Sequence, residues 1–343
     1  MSRNCSVRGI AALFLTVTTV TTASGAITPQ AQAYTGVPSA PDTVRYARLT
    51  ECPEKPGTGT ASCDTWMLVM RSGKAIKLIK GNTGETTLLG ISADGRVAHY
   101  VKDGRLVVHD VGSGRIRPLP GTAATAPRGL TLDDVGTTLS PDGSIVEVTY
   151  LDGGDEDKAV MLPSVVANVE TGKVFPVSES DSVLSFSPGG EHVLVDRSIG
   201  TDTGPTTFAV LDADGRTTAS RIVPKAVSDA YPVALAADGR TVVLIATVGS
   251  DVWRLRTYDL ASGTLAKGIR LGVFPKEKAQ SLFWDSTGAL TFWSVRADKG
   301  GRLGAVKRTV DIRTGAMRAV DSFGFTKGSW WELPGGASMP VGH

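Results

Sequence analysis

The stretch Leu139-Ser-Pro-Asp-Gly-Ser-Ile-Val-Glu-Val148 is a tight turn between two short apolar runs, and it recurs along the chain. The related turns are Ser92-Ala-Asp-Gly95, Ser187-Pro-Gly-Gly190, Ala236-Ala-Asp-Gly239 and Trp284-Asp-Ser-Thr-Gly288. Their last glycines, at 95, 143, 190, 239 and 288, are 47 to 49 residues apart. Each turn follows one strand-like run, such as Val183-Leu-Ser-Phe186, and precedes another, such as Thr241-Val-Val-Leu-Ile-Ala246. So even a spacing marks a repeat, and a repeat constrains the fold more than any single motif.

A second set of turns falls inside each unit: Asn82-Thr-Gly84, Gly112-Ser-Gly114, Glu170-Thr-Gly172, Ala213-Asp-Gly215, Ala261-Ser-Gly263 and Arg313-Thr-Gly315. Glycine there supplies the positive φ of a tight hairpin. Every unit therefore reads as four antiparallel strands in about 48 residues, the pattern of a β-propeller blade. Helical periodicity is almost absent. The expected fold is all-β, a six-bladed propeller of four-stranded antiparallel blades, with five or seven blades left open by the chain ends. The first blade is expected to use Thr43 to Leu49, Thr65 to Met70, Ala75 to Lys80 and Glu85 to Leu89. The segment Gly328-Ser-Trp-Trp-Glu-Leu333 reads as a strand that completes the first or last blade and hides an edge.

The Leu139 stretch and its echo, Phe186-Ser-Pro-Gly-Gly-Glu-His-Val-Leu-Val195, resemble the SPDG repeats of WD40-like, TolB-type bacterial propellers over roughly residues 44 to 333. The Trp-Asp dipeptide of true WD40 repeats is missing at the equivalent strand ends, which read His109-Asp110, Tyr258-Asp259 and Val310-Asp311. The resemblance implies a propeller and an interaction scaffold. It carries over no contact residue, because SPDG is a turn device.

The first 33 residues read as a secretory signal. Arg3 and Arg8 precede the apolar run Gly9 to Val20, and Ala31-Gln32-Ala33 fits a signal-peptidase site, with Ala26 as a second candidate. The run is short of the ~20 residues that span a membrane. Residues 34–42 are then a linker and 43–343 a single domain, secreted to the extracellular side. Removing two arginines and no acid brings the formal charge from +2 to zero, which argues against a nucleic-acid binder. It also removes Cys5 and leaves Cys52 and Cys63, whose spacing in an exported chain predicts a structural disulfide. Closing that loop would contribute roughly 3 kcal/mol.

In a propeller the A–B and C–D turns share one face, while the B–C and D–A connections share the other, where ligands more often bind. The longest irregular connection, Pro120 to Gly136, offers Arg128, Asp133 and Asp134. The B–C loop of the third blade offers Asp155, Glu156 and Asp157, and the sixth blade offers Arg296, Lys299 and Arg302. These residues are the candidate binding set, an acidic side facing a basic side; the bland alternative is that charged loops keep the protein soluble. The cluster Asp152-Gly-Gly-Asp-Glu-Asp157 admits calcium, a hard cation, but lacks the order of a known calcium loop. No other cofactor is implied.

His99, His109 and His192 fall in strands of different blades, so a zinc site would have to be built between blades. Trp330 and Trp331 fit either a sugar platform or a buried closing strand, while Trp66, Trp253, Trp284 and Trp293 read as core. No GxSxG, HExxH, P-loop or GxGxxG stands in the context it requires. The sequence thus points to a monomeric, non-catalytic scaffold for a protein, peptide or envelope-glycan partner. The alternative is a propeller lyase or hydrolase using Asp133, Asp134, Asp155 and Glu156 with His99 or Arg128.

Overall fold

In the quoted turn, the Ser140 hydroxyl donates to Asp142 Oδ1 at 2.6 Å and accepts the Ile145 amide at 2.9 Å. Asp142 Oδ1 also accepts the Ser144 amide at 3.0 Å, and the Gly143 amide closes the turn on the Ser140 carbonyl at 2.9 Å. Ser92 and Asp94 repeat this arrangement. Where Gly189 replaces the aspartate, Glu191 accepts from the Ser187 hydroxyl at 3.3 Å instead. Serine and an acid thus satisfy the amides that a tight reversal leaves unpaired.

The computed structural model describes residues 42–50, 65–78, 88–152, 160–198, 205–248, 252–272, 277–297, 303–325 and 330–339. They form six antiparallel sheets arranged as the blades of a propeller. Blade 1 holds β1 (Val44–Thr50), β2 (Thr65–Met70) and β3 (Ala75–Lys77). Blade 2 holds β4 (Leu89–Ile91), β5 (Val97–Lys102), β6 (Arg105–Asp110) and β7 (Arg115–Pro118). Blade 3 holds β8 (Val135–Leu139), β9 (Ile145–Asp152), β10 (Val160–Asn168) and β11 (Val174–Val177). Blade 4 holds β12 (Asp181–Phe186), β13 (His192–Ser198), β14 (Thr206–Asp212) and β15 (Thr217–Ile222). Blade 5 holds β16 (Val233–Leu235), β17 (Thr241–Val248) and β18 (Val252–Asp259), with an outer strand broken into β19 (Thr264–Leu265) and β20 (Ile269–Arg270). Blade 6 holds β21 (Lys278–Trp284), β22 (Leu290–Ala297), β23 (Leu303–Val310) and β24 (Met317–Phe325).

Two strands remain, β25 (Trp331–Leu333) and β26 (Ala337–Met339). β25 pairs with β1, setting Ala47 opposite Glu332, and β26 folds back along the other edge of β25. The C-terminal segment therefore gives blade 1 its inner strand, one of the two placements the sequence allows. The expected membership of that blade needs correction. β1 and β2 are its second and third strands, and Leu89 opens the inner strand of blade 2 rather than ending blade 1. The reason is ring closure: both ends of the chain share blade 1, whose inner strand comes from the C-terminal segment, while blades 2 to 6 are each built from consecutive strands. Cys52 and Cys63 lie outside the described residues, between β1 and β2.

The core lies between blades. Six apolar clusters each span one seam, such as Leu194, Phe208, Leu235 and Leu244 between blades 4 and 5. The closing seam is the most aromatic. Tyr46, Phe323, Phe325 and Trp331 gather there with ring centroids 4.6–6.0 Å apart, and Arg45 and Arg71 reach Asp321 across it at 2.6 and 3.5 Å. Among the described residues only one four-residue helix, α1 (Lys225–Ser228), and two 3-10 turns interrupt the strands, and no helix is long and apolar enough to cross a membrane.

Gly143 has φ +75°, and a Cβ there would stand 2.6 Å from Val97 Cβ in the preceding blade. Gly172 has the same φ but nothing within 4 Å. Gly172→Ala is therefore expected to cost about 1 kcal/mol of left-handed strain, and Gly143→Ala about 1–3 kcal/mol more for overpacking. Denaturant unfolding of both variants measures the difference; equal losses would show that the seam tolerates a methyl group.

Candidate functional site

The sequence candidates separate by structure. Arg128 is exposed in the connection between blades 2 and 3. Asp133 sits in the 3-10 turn Leu132–Asp134. The Asp134 carboxylate accepts the Thr131 amide at 2.7 Å and its hydroxyl at 2.9 Å, bonds that hold its pKa below the usual range. This acid caps its own turn. Arg296 is exposed near the end of β22 and engaged in an interaction of its own. Asp155, Glu156, Asp157, Lys299 and Arg302 lie outside the described residues, so the expected division of the face into acidic and basic sides is not drawn from them. His99 and His109, expected in different blades, lie on paired strands of blade 2, and among the described residues no three His, Cys, Asp or Glu side chains gather to hold a metal ion.

The concavity lies elsewhere, on the axis. A cavity of about 330 Å³ is lined by residues of four inner strands: Thr138 and Leu139 of β8, Val183 to Phe186 of β12, Val233 of β16, and Ser281 to Phe283 of β21. Asp196 and Phe208 from the next strands of blade 4 add to the wall. One end reaches the A–B turns at Ala93 and Pro141; the other opens beside Ser228 to Pro232, on the face of the B–C and D–A connections. α1 shapes that mouth. Pro224 starts it, Val227 is fully buried in the seam of blades 4 and 5, and the chain then turns up through Asp229 to Tyr231, which is 69% exposed. Inside, Ser281 is only 7% exposed, and its hydroxyl has no hydrogen-bond partner.

Nothing in the spacing or charge of the sequence singles out this connection. Its one available signal is Tyr231-Pro232, an aromatic beside a proline in a short irregular segment.

Several titratable groups stand behind the channel wall. Glu147, in β9, is 3% exposed; it accepts from the Ser164 hydroxyl at 3.3 Å and interacts with Thr138 and the Val183 backbone. Burial without a cation pushes its pKa up to about 7. His99 occupies the equivalent place in β5: its ring lies over Gly90 and meets the Thr137 hydroxyl of the next blade at 3.1 Å. Complete burial lowers its pKa to about 3, so the ring is neutral. Lys307 donates to the Ala93 carbonyl at 3.1 Å and lies over the Phe283 and Trp293 rings at 5.2 and 5.7 Å. Desolvation lowers it to about 8. In blade 6, buried Glu277 pairs with Arg308 at 2.6 Å, and the Ser294 hydroxyl donates to the same carboxylate at 2.6 Å. His99, one of the two partners expected for the acids in the enzyme alternative, is fully buried.

No family model matches the chain, and no curated protein matches it. Solved structures do. A protein assigned as TolB from Agrobacterium tumefaciens is 14% identical, with a TM-score of 0.46 over 82% of this chain and 90% of that one. A periplasmic gluconolactonase from Pseudomonas aeruginosa is 15% identical, with a TM-score of 0.39 over 86% and 84%. Dipeptidyl peptidase 4 of Porphyromonas gingivalis is 12% identical, with a TM-score of 0.40 over 81% of this chain and 44% of that longer one.

The buried acid and the buried histidine give opposite pH dependences. Unfolded Glu147 ionises near its ordinary value of 4.5 but folded Glu147 only near 7, so its contribution to stability falls as pH rises between them. Unfolded His99 charges below 6.5 while the folded ring stays neutral to about 3, so its contribution falls as pH drops through that window. Glu147→Gln should therefore gain on the wild type by up to about 3 kcal/mol from pH 5 to 8. Unfolding free energies across that range test this, and parallel curves would refute it.

Proposed function

We propose that this chain is an exported, non-catalytic propeller scaffold that binds a protein, peptide or cell-envelope partner through the face of its B–C and D–A connections. The observation that carries the reading is the distribution of exposed apolar side chains. Of seven large ones among the described residues, four belong to this face: Leu151, Ile222, Tyr231 and Trp330. Trp330 stands just before the closing strand and is 41% exposed, while its neighbour Trp331 is buried in the seam. Tyrosine and tryptophan offer large contact area at low entropic cost and are enriched in protein interfaces. Tyr231 also sits at the mouth of the axial cavity, so one partner could cover the face and send a group into the channel.

Export is supported by the N-terminal pattern of two arginines, a short apolar run and Ala31-Gln32-Ala33. The reading assigns no catalytic role: Asp134 holds its own turn and His99 is enclosed between blades.

Capture from cell-wall and culture-filtrate fractions tests the proposal. Wild-type protein on a support is expected to retain a partner, which Tyr231→Ala and Trp330→Ala release at least tenfold more readily, about the loss for an aromatic anchor. A partner held equally by both variants, or none held above a blank support, would overturn it.

A further inference from the structure

We propose that the outer groove of blade 2, at the rim of the binding face, docks an acidic segment of a polypeptide partner, its carboxylates held by Lys102, Arg105 and Arg117 and an apolar side chain laid between them. The inference rests on the reading of this face as the binding face, and it adds the chemistry of the partner.

Lys102, Arg105 and Arg117 line a groove of about 210 Å³ whose apolar lining is Val107, Ile116 and Pro118. It lies at the B–C turn of the blade, between β5 and β6. That turn is Asp103-Gly104, with φ +51° and +70°, a two-residue reversal that fixes the register of the strands it joins. Lys102 and Arg105 are therefore direct cross-strand partners, and like charges set opposite each other destabilise a sheet. Asp103 is the groove's one acid, and among the described residues neither it nor any of the three cations has a side-chain hydrogen bond or ion pair. The blade's other acids are engaged, Asp94 with the Arg96 amide and Asp110 with the Ser113 amide. In blades 3 and 4, by contrast, every described lysine and arginine is partnered: Lys173 and Arg216 by Asp214, Arg197 by Asp181 and Arg221 by the Leu260 carbonyl.

Two features select a polypeptide as the occupant. The groove is smaller than the sites that enclose a whole small ligand, which begin at about 300 Å³, and it matches one or two side chains of a larger partner. Arginine and lysine hold carboxylates and phosphates alike, so the apolar lining decides between them. Ile116 is 38% exposed and Pro118 is exposed beside it, while Val107 stands opposite Pro118 on the paired strand. Covering that strip takes an apolar group next to the anion. A segment that alternates acidic and apolar residues supplies both, whereas a polyol phosphate chain supplies only the charge.

Fluorescence anisotropy with a labelled acetyl-Gly-Asp-Leu-Glu-Leu-Asp-Gly amide tests the inference, against one version with Asn and Gln for its acids and another with Ser for its leucines. The acidic peptide is expected to bind roughly tenfold or more tightly than the uncharged version at low salt, to weaken as salt is raised, and to bind severalfold more tightly than the serine version. Arg105→Gln with Arg117→Gln should remove the preference for acid, and Ile116→Ser the preference for leucine. Arg318→Gln, exposed on β24 of blade 6, should change neither. Removing one of two opposed like charges relieves the hairpin, so Arg105→Gln alone is expected to melt no lower than the wild type, and it gives the same reading if the double variant does not fold. Equal affinity for the acidic and uncharged peptides, or a preference that survives loss of the arginines, overturns the proposal.

Poly(glycerol phosphate) supplies the second arm. Displacement of the labelled peptide by unlabelled peptide at a lower concentration of charge than by this polymer supports a polypeptide partner, and the reverse order overturns it. A partner captured on the face but held equally after loss of both arginines would sink this inference alone. Peptide binding that depends on the arginines, with no partner captured, would sink the scaffold reading alone.

Discussion

Much of this ring depends on how closely the blades are seated. The A–B turn glycines of blades 3, 4 and 5 lie so close to the second strand of the blade before that a single methyl group would not fit, whereas Gly288 of blade 6 has nothing within 4 Å. Gly143 sits on Val97, Gly190 on Ile145 and Gly239 on His192, and a methyl group added to any of the three glycines would stand 2.6 to 2.8 Å from that neighbour. The contact fixes how far one blade rotates against the next, and it places the apolar faces of both sheets at packing distance. Six seams then enclose the whole apolar core, so no blade has a core of its own. A blade is stable because its neighbours are in register.

The last seam cannot be made by continuing the repeat, and it is built more heavily. β25 is held on several sides: the Leu49 amide bonds the Trp330 carbonyl at 3.0 Å, the Gly335 amide bonds Ile91 of blade 2 at 2.9 Å, and the Trp293 indole of blade 6 donates to Pro334 at 2.7 Å. Aromatic packing and the Arg45–Asp321 pair add to these bonds. The repeat is legible in the sequence because the A–B turn demands glycine at a fixed place in every unit, and a demand repeated five times is visible in one chain. The ends are less legible. Strand runs look alike whether they are first or second in a sheet, so the sequence alone sets β1 one position too far toward the axis and counts Leu89 with blade 1. Only pairing with a strand nearly 300 residues away resolves that offset.

Composition also hides which strand residues face a seam. His99 and Glu147 hold the same register position in β5 and β9, opposite Gly90 and Thr138. The equivalent residues in later blades are Leu194, Val243 and Phe292, all buried and apolar. Two polar side chains have thus replaced core residues in adjacent blades. His99 is accommodated because Gly90 leaves room for the ring and Thr137 bonds it. Glu147 finds hydroxyl and amide partners but no cation, so burial raises its pKa to about 7. Glu277 shows the other solution in blade 6, where Arg308 pairs with the buried carboxylate at 2.6 Å. Neither solution can be read from a single letter in a strand, because each depends on the neighbouring blade.

The cavity is illegible for the same reason, taken further. Its wall draws one short segment from each of several blades, so its residues recur at the repeat interval with no local motif to join them. The conspicuous sequence features, long loops and charge clusters, report where the chain meets solvent. A channel is instead defined by what the inner strands leave unfilled. Leu194 and Leu235 close the seam between blades 4 and 5, while Val227 anchors α1 above it. That anchor forces the following residues up and over the axis, which sets Asp229 and Tyr231 at the rim instead of out along the blade. The position of the mouth is therefore a consequence of core packing. A functional surface on this fold should be sought first where a buried side chain in a connection turns the chain toward the axis.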